Sequence, residues 1–251
     1  MVVGSIIEIQ ERKLGEEKIL LQNELLAKAN KELDYFVYSV SHDLRAPLSS
    51  ILGLTNIYSL ALSEKEKQDI IGMINGRAHV LDEFIREVLD YSKNTRLELR
   101  LQELVIRETV QEVVDGLTHM EGFKSVRTQV DIDPTLILSS DSERLKVVLN
   151  NLIANSIYYR DEGKDSFVRI SAMKINDQCK LIIEDNGIGI KSEHHGKIFG
   201  MFYKAHARPQ GTGLGLYIVK ETMQRLGGSV SLSSEFGKGS VFTLILPQIP
   251  A

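Results

Sequence analysis

The second half of the chain holds three glycine clusters: Asp185-Asn186-Gly187-Ile188-Gly189, Gly211-Thr212-Gly213-Leu214-Gly215 and Gly237-Lys238-Gly239. The first follows a strand-like stretch and the second leads into a helical one. Glycine-rich backbone entering a helix N-terminus offers free N–H donors and the favourable end of the helix dipole to a phosphate. Neither cluster ends in the GK[ST] of a Walker A loop, and neither has the spacing of a dinucleotide fingerprint. Each alone reads more simply as a turn. Together they suggest a nucleotide held by loops of another kind. Asn151 and Asn155 are four apart and share one face of a helical stretch. Asparagine is a poor helix former, and a neutral amide oxygen suits Mg2+ when phosphates already bring the negative charge. A pair of solvent-facing amides is the plainer alternative. In the first half, His42 is followed directly by Asp43. A histidine can attack through an unprotonated ring nitrogen near neutral pH, although a lone surface histidine has the same local pattern.

Two kinds of element must position these residues. Residues 1 to about 95 contain one proline, Pro47, and read as two long helices. On the first, Leu21, Leu25, Ala29, Leu33, Phe36, Val40 and Leu44 recur at steps of three and four, close to a coiled-coil seam. His42 lies two residues from both Val40 and Leu44, so at about 100° per residue it points away from that seam. Ser63 and Glu66 form a capping box ahead of a second amphipathic run through Ile70, Ile74, Leu81, Ile85 and Val88. One hairpin leaves its apolar seam uncovered, and two would bury it as a four-helix bundle. An inert dimerisation stalk has the same periodicity. From about residue 99 the pattern alternates like strands at Leu99–Leu101, Val126–Ile132, Val168–Ala172, Cys179–Ile183, Ser229–Ser234 and Ser240–Leu246. Helical stretches at about 106–119, 142–159 and 214–226 lie between them, an order that suggests a two-layer α/β sandwich. The polar stretch Lys93-Asn94-Thr95-Arg96 is the expected hinge.

Composition limits the partners. The chain has 251 residues, 43% hydrophobic and 25% charged, with a net charge of −4. A duplex nucleic acid binder carries a basic patch and a high pI, so no nucleic acid partner is expected. No stretch approaches the roughly 18 consecutive apolar residues of a membrane span, and Met1–Ile9 lacks the flank and core of a signal peptide. One cysteine, Cys179, excludes an internal disulfide. These features together read as a soluble, cytoplasmic chain.

The motifs, taken in order, resemble those of the sensor histidine kinases of two-component systems. Ser41-His42-Asp43-Leu44-Arg45-Ala46-Pro47-Leu48 is similar to the family's H box. Asn151-Leu152-Ile153-Ala154-Asn155, Asp185-x-Gly187-x-Gly189, Phe199-Gly200-Met201-Phe202-Tyr203 and Gly211–Leu216 resemble its N, G1, F and G2 boxes. The resemblance covers about residues 30–247. It implies a signalling coiled-coil helix at 1–34, a dimerisation and phosphoacceptor domain at 35–95, and an ATP-binding domain at 96–251. The implied fold is a helical hairpin forming a dimeric four-helix bundle, followed by the α/β sandwich. His42 becomes the phosphoacceptor and Asp43 its acidic partner. ATP contacts are implied for Asn151, Asn155, Tyr159, Asp185, Gly187, Gly189, Lys204, Gly211, Thr212, Gly213, Leu214 and Gly215. Among these, Asp185 would accept from the adenine amino group, Asn155 would ligate Mg2+, and Lys204 would meet the γ-phosphate.

Residues of about 191–210 would form the ATP lid, with Phe199 and Phe202 as apolar anchors. His194, His195 and His206 lack a ligand set at metal spacing and read as lid surface. The implied partners are a second copy of the chain, a response regulator receiver domain and an upstream sensor domain outside this chain. Three positions depart from the family pattern: Tyr158 replaces an N-box lysine, the stretch from Phe202 to Gly211 is short, and Ala46 stands one turn after His42. A methyl group cannot orient a water, so the kinase reaction should dominate over dephosphorylation of the regulator. Pro47 leaves the Asp43 carbonyl without its donor and should loosen or bend that turn. A nucleotide-binding signalling scaffold with little kinase activity is the alternative. A gyrase-like ATPase would lack the H box.

Overall fold

The computed structural model describes residues 2–60, 63–96, 98–206 and 212–248. The chain divides into two compact units, Met1–Leu81 and Asp82–Ala251. Gly211 lies outside the described residues, as does part of the link between the two long helices.

The first unit is built on α1 (Val2–Tyr58) and most of α2 (Glu64–Arg96). The capping box forms at the start of α2: the Ser63 N–H donates to Glu66 Oε2 at 3.0 Å, and the Glu66 N–H donates to Ser63 Oγ at 3.2 Å. Each side chain thereby satisfies a backbone donor that the helix leaves open. Pro47 does not interrupt α1, which continues to Tyr58. One missing donor removes one bond of the ladder, and the bonds on either side of buried Pro47 keep the helix running. The polar stretch at 93–96 is the last turn of α2 rather than a break after it. Along the seam, Leu21 and Leu33 are each 58% exposed, whereas Phe36, Val40 and Leu44 are half-buried. The side chains of Leu25 and Ala29 lie outside the described set.

The second unit takes in the last turns of α2 and carries two sheets. β1 (Leu101–Val105) pairs antiparallel with β3 (Ile137–Asp141). The five-stranded sheet has the order β2-β4-β5-β7-β6, with strands Val126–Ile132, Ser166–Ile175, Gln178–Asp185, Gly239–Pro247 and Ser229–Glu235. Only the β2–β4 pair is parallel. Alternation along the strands makes one face apolar. Val168 and Ile170 of β4, Leu181 and Ile183 of β5, and Leu244 of β7 are fully buried. The opposite face carries Arg169, which is paired with Glu184 at 3.2 Å and Asp131 at 3.8 Å. Three helices supply the apolar stripes that join the core: α3 (Ile106–Gly116), α4 (Ser142–Tyr158) and α6 (Gly215–Arg225). Burial of this kind contributes about 25 cal/mol per Å2. The two-layer sandwich anticipated from the pattern is therefore present, with α3 ending at Gly116 rather than near 119.

Candidate functional site

Asp185 ends β5, and three donors converge on its carboxylate. Oδ1 accepts from the Gly187 N–H at 2.9 Å and from the Ser240 N–H at 3.2 Å, while Oδ2 accepts from Ser156 Oγ at 3.1 Å. Burial dominates and raises its pKa above the ordinary carboxylate range; the three hydrogen bonds oppose that rise. The loop that follows folds tightly over the end of α4. The Ile188 N–H donates to the Tyr159 carbonyl at 3.0 Å, and a Cβ on Gly187 would come within 2.4 Å of that oxygen. Only glycine fits there.

Asn151 and Asn155 lie on the same face of α4, as their spacing anticipates, and both are half-buried. The Asn151 amide nitrogen donates to the Val147 carbonyl at 2.8 Å. Its oxygen faces the first residue of α6, where a Cβ on Gly215 would lie 2.6 Å away. Asn151 thus braces the glycine-rich loop at the start of α6. In that loop, Thr212 Oγ1 accepts from the Leu214 N–H at 3.0 Å, and Leu214 is fully buried. Gly213 has φ +77, and a Cβ there would strike the Phe202 backbone. Phe202 itself has φ +60, a conformation costing a non-glycine residue of order 1 kcal/mol. Phe199 and Tyr203 pack on the core and anchor this segment.

The three histidines differ from the expectation of a bare lid surface, since each is half-buried and hydrogen-bonded. His194 Nδ1 lies 2.6 Å from the Tyr203 hydroxyl. His195 Nε2 donates to the Ile190 carbonyl at 3.0 Å, and His206 Nε2 donates to the Gly189 carbonyl at 3.1 Å. His194 Nε2 also lies 3.5 Å from Glu193 Oε1, and these contacts tie the segment down. The Tyr159 ring lies 5.5 Å from that of His206, and Lys204 is exposed.

Glu87, on the part of α2 that belongs to this unit, had no signal in the sequence. Thr212 Oγ1 donates to its carboxylate. Burial raises the Glu87 pKa to about 7, aided by Glu83 and Asp90, whereas the Thr212 bond and Lys204 pull it down. Tyr91 of α2 and Tyr217 of α6 place their rings 5.8 Å apart. Ser156 and Ser240, which hold Asp185, were likewise missed. Their partners are far away in the chain, and serine alone carries no pattern.

In the first unit His42 is exposed on α1, as its offset from the seam requires. Its Nδ1 lies 3.0 Å from Asp43 Oδ1, and the Tyr38 ring stacks beside it at 6.5 Å. The carboxylate can only accept, so Nδ1 is the donor of this pair. Ala46, one turn on, is exposed.

Comparison with known proteins agrees with both halves. Residues 32–96 match the His Kinase A (phospho-acceptor) domain, and residues 140–250 match the histidine kinase-, DNA gyrase B- and HSP90-like ATPase family. Hybrid signal transduction histidine kinase B of Dictyostelium discoideum is 31% identical over 98% of this chain. The aerobic respiration control sensor protein ArcB of Escherichia coli is 29% identical over 88% of it. The chain spans only 13% and 29% of the lengths of these two proteins. Among solved structures, histidine kinase AdeS of Acinetobacter baumannii has a TM-score of 0.66 at 23% identity, covering 83% of this chain and 98% of its own. Histidine kinase ThkA in complex with response regulator protein TrrA gives 0.68 at 24% identity, covering 87% and 62%. At such identities the structural likeness concerns the fold. Among the described residues, no helix is long and apolar enough to cross a membrane.

Proposed function

The chain belongs to the sensor histidine kinases, joining a His Kinase A phospho-acceptor domain to an ATPase domain, and on that premise we propose that it moves the γ-phosphoryl group of ATP onto His42 and from there to an aspartate on the receiver domain of a response regulator. The observation that carries this reading is the exposed His42–Asp43 pair, in which Nδ1 is within hydrogen-bond reach of the carboxylate and Nε2 is the nitrogen left to attack in a neutral ring. The Nε2 lone pair attacks the γ-phosphorus, a P–N bond forms, the bond to the bridging oxygen breaks, and ADP leaves with its electron pair. The ring becomes cationic in the process, and the Asp43 carboxylate offsets that charge.

The Asp185 loop is the base-binding end of the ATP site in this reading, and the Gly213–Gly215 loop is the phosphate end. Phosphoryl transfer of this kind depends mainly on positioning and charge neutralisation. Among the described residues no group of three His, Cys, Asp or Glu side chains could hold a metal ion. Mg2+ would enter with the triphosphate: Asn155, half-buried on α4, would supply a neutral amide oxygen beside the phosphate oxygens, and the bound ion would offset their charge. Lys204, exposed on the lid, would meet the γ-phosphate.

The active form in this reading is a homodimer. Leu21 and Leu33, open to solvent in the single chain, would pack against a second copy in a four-helix arrangement with a coiled coil ahead of it. The working division is a signalling helix at 1–34, a phosphoacceptor domain at 35–95 and a catalytic domain at 96–251, acting in the cytoplasm and receiving its input from an upstream sensor. Incubation with γ-labelled ATP and Mg2+ should leave acid-labile, alkali-stable phosphate on the protein. His42→Gln should remove all of it with ATP affinity unchanged, and label retained on that variant would overturn the assignment.

A further inference from the structure

Two loops lend backbone donors to the Asp185 carboxylate, and one side chain from a third stretch binds both of them. The first loop runs from β5 toward the short helix α5 (Ser192–His195) and supplies the Gly187 N–H; the second is the turn from β6 into β7, which supplies the Ser240 N–H. Lys164 belongs to neither, since it lies between α4 and β4. Its ammonium donates to the Gly237 carbonyl at 2.6 Å and to the Asn186 carbonyl at 3.3 Å, and lies 3.2 Å from Asp161 Oδ2. An ammonium has three donors and no acceptor, so three oxygens use all of them. Bonds from a cation are stronger than those between neutral groups. The base of this tripod is fixed as well: Asp161 Oδ1 accepts from the Gly163 N–H at 3.0 Å, and the Asp161 carbonyl accepts from the Lys164 N–H at 3.1 Å. On the first loop, Asn186 Oδ1 accepts from the Phe167 N–H at 2.8 Å and Nδ2 donates to the Asp165 carbonyl at 2.9 Å. One backbone bond, from the Gly237 N–H to the Ile188 carbonyl at 2.8 Å, joins the two loops directly. Lys164 bridges them a second time, at the residue next to Asp185.

Resting on the reading of the Asp185 loop as the base-binding end of the ATP site, we infer that Lys164 is a positioning residue for base selection: it fixes the two loops whose amides aim the Asp185 carboxylate. Adenine presents an amine where guanine presents a carbonyl, and a carboxylate that can only accept favours the first and repels the second. That discrimination holds only while the acceptor stays in place. Lys164 touches neither Asp185 nor its three donors directly, so its influence passes through Asn186 and Gly237. The side chain is 33% exposed, so water can reach the two carbonyls once the ammonium is removed, and the fold survives the loss.

The test is equilibrium binding of ATP and of GTP, each with Mg2+, to the full chain, together with the steady-state constants of autophosphorylation. Lys164→Met should weaken ATP binding about tenfold and GTP binding less than about twofold, so that the preference for ATP narrows. KM for ATP should rise in proportion, with kcat within about twofold of the parent. Lys164→Cys should behave alike, and aminoethylation of its thiol with bromoethylamine, which rebuilds the ammonium, should recover most of the affinity; Cys179, 1% exposed, is shielded from the reagent. Unchanged ATP affinity in Lys164→Met overturns the inference. So do equal losses for ATP and GTP, because a general loosening of the site does not choose between bases, and so does a modified Lys164→Cys that stays weak. Asp185→Asn separates the inference from the reading beneath it. Added to Asp185→Asn, Lys164→Met should weaken ATP binding by less than about twofold more, and losses that multiply overturn a role exerted through Asp185. If Asp185→Asn weakens ATP binding while Lys164→Met does not, only the inference fails. If ATP affinity is indifferent to Asp185→Asn, the base site itself is misplaced and the inference falls with it.

Discussion

In the proposed reaction the Asp43 carboxylate, which accepts from Nδ1 of His42 at 3.0 Å, would favour the neutral tautomer with a nucleophilic Nε2 and would face the positive charge that builds as the P–N bond forms. An amide at residue 43 could still accept the hydrogen bond but would carry no charge. Asp43→Asn should therefore slow autophosphorylation about 100-fold, in the range typical of a lost acid–base partner. Nucleotide affinity should not change, because the residues proposed to bind ATP lie in the other unit. Initial rates with labelled ATP, set beside a binding titration, check both halves. Equal loss of affinity and rate would remove Asp43 from the chemistry.

The N-cap of α4 shows how an element is held at the right place. Asp141 Oδ1 accepts the Arg144 N–H at 3.1 Å, Oδ2 accepts the Arg100 N–H at 2.9 Å, and the Arg144 guanidinium lies 2.5 Å away. Burial alone would raise the Asp141 pKa, but the donors from Arg100 and Arg144 outweigh it and hold the group below the ordinary value of 3.8. A depressed carboxylate stabilises the fold above its unfolded pKa, and that contribution disappears as pH falls through the folded one. Asp141→Ala should cost about 3 kcal/mol in urea titrations at pH 7, because Arg144, buried, loses the carboxylate that balances its charge. The deficit against the parent should shrink in acid.

The same region explains what could be read beforehand. α3, α4, α6 and the strands of the large sheet announce themselves through apolar periodicity. β3 does not: Ser139, Ser140 and Asp141 are buried polar residues, so its alternation carries no hydrophobic signal. The glycine loops and Asp185 are contiguous and so legible. Ser156, Ser240 and Glu87 act across long stretches of chain, and the histidine bonds to carbonyls depend on backbone positions that side-chain type does not encode.

At the scale of the whole molecule, α1 is 57 residues long, about 86 Å at 1.5 Å per residue. A seam running along such a rod would transmit rotation. Inserting one residue near Ala29 turns everything beyond it by about 100°, whereas three or four residues nearly restore the facing. Autophosphorylation should rise and fall with that period across a series of insertions, and a flat response would argue against the seam as the input path. The carboxylate of Glu87 adds a consequence of another kind. Its pKa is about 7 in the folded unit against 4.5 for an ordinary glutamate, so its stabilising contribution is complete below pH 4.5 and is lost as pH rises through 7. Hydrogen ion therefore behaves as a reactant in folding. Near pH 6, forming the second unit should draw close to one proton from the buffer at this site. Calorimetry of unfolding in buffers of different ionisation enthalpy would count it, and Glu87→Gln should lower the count by that amount.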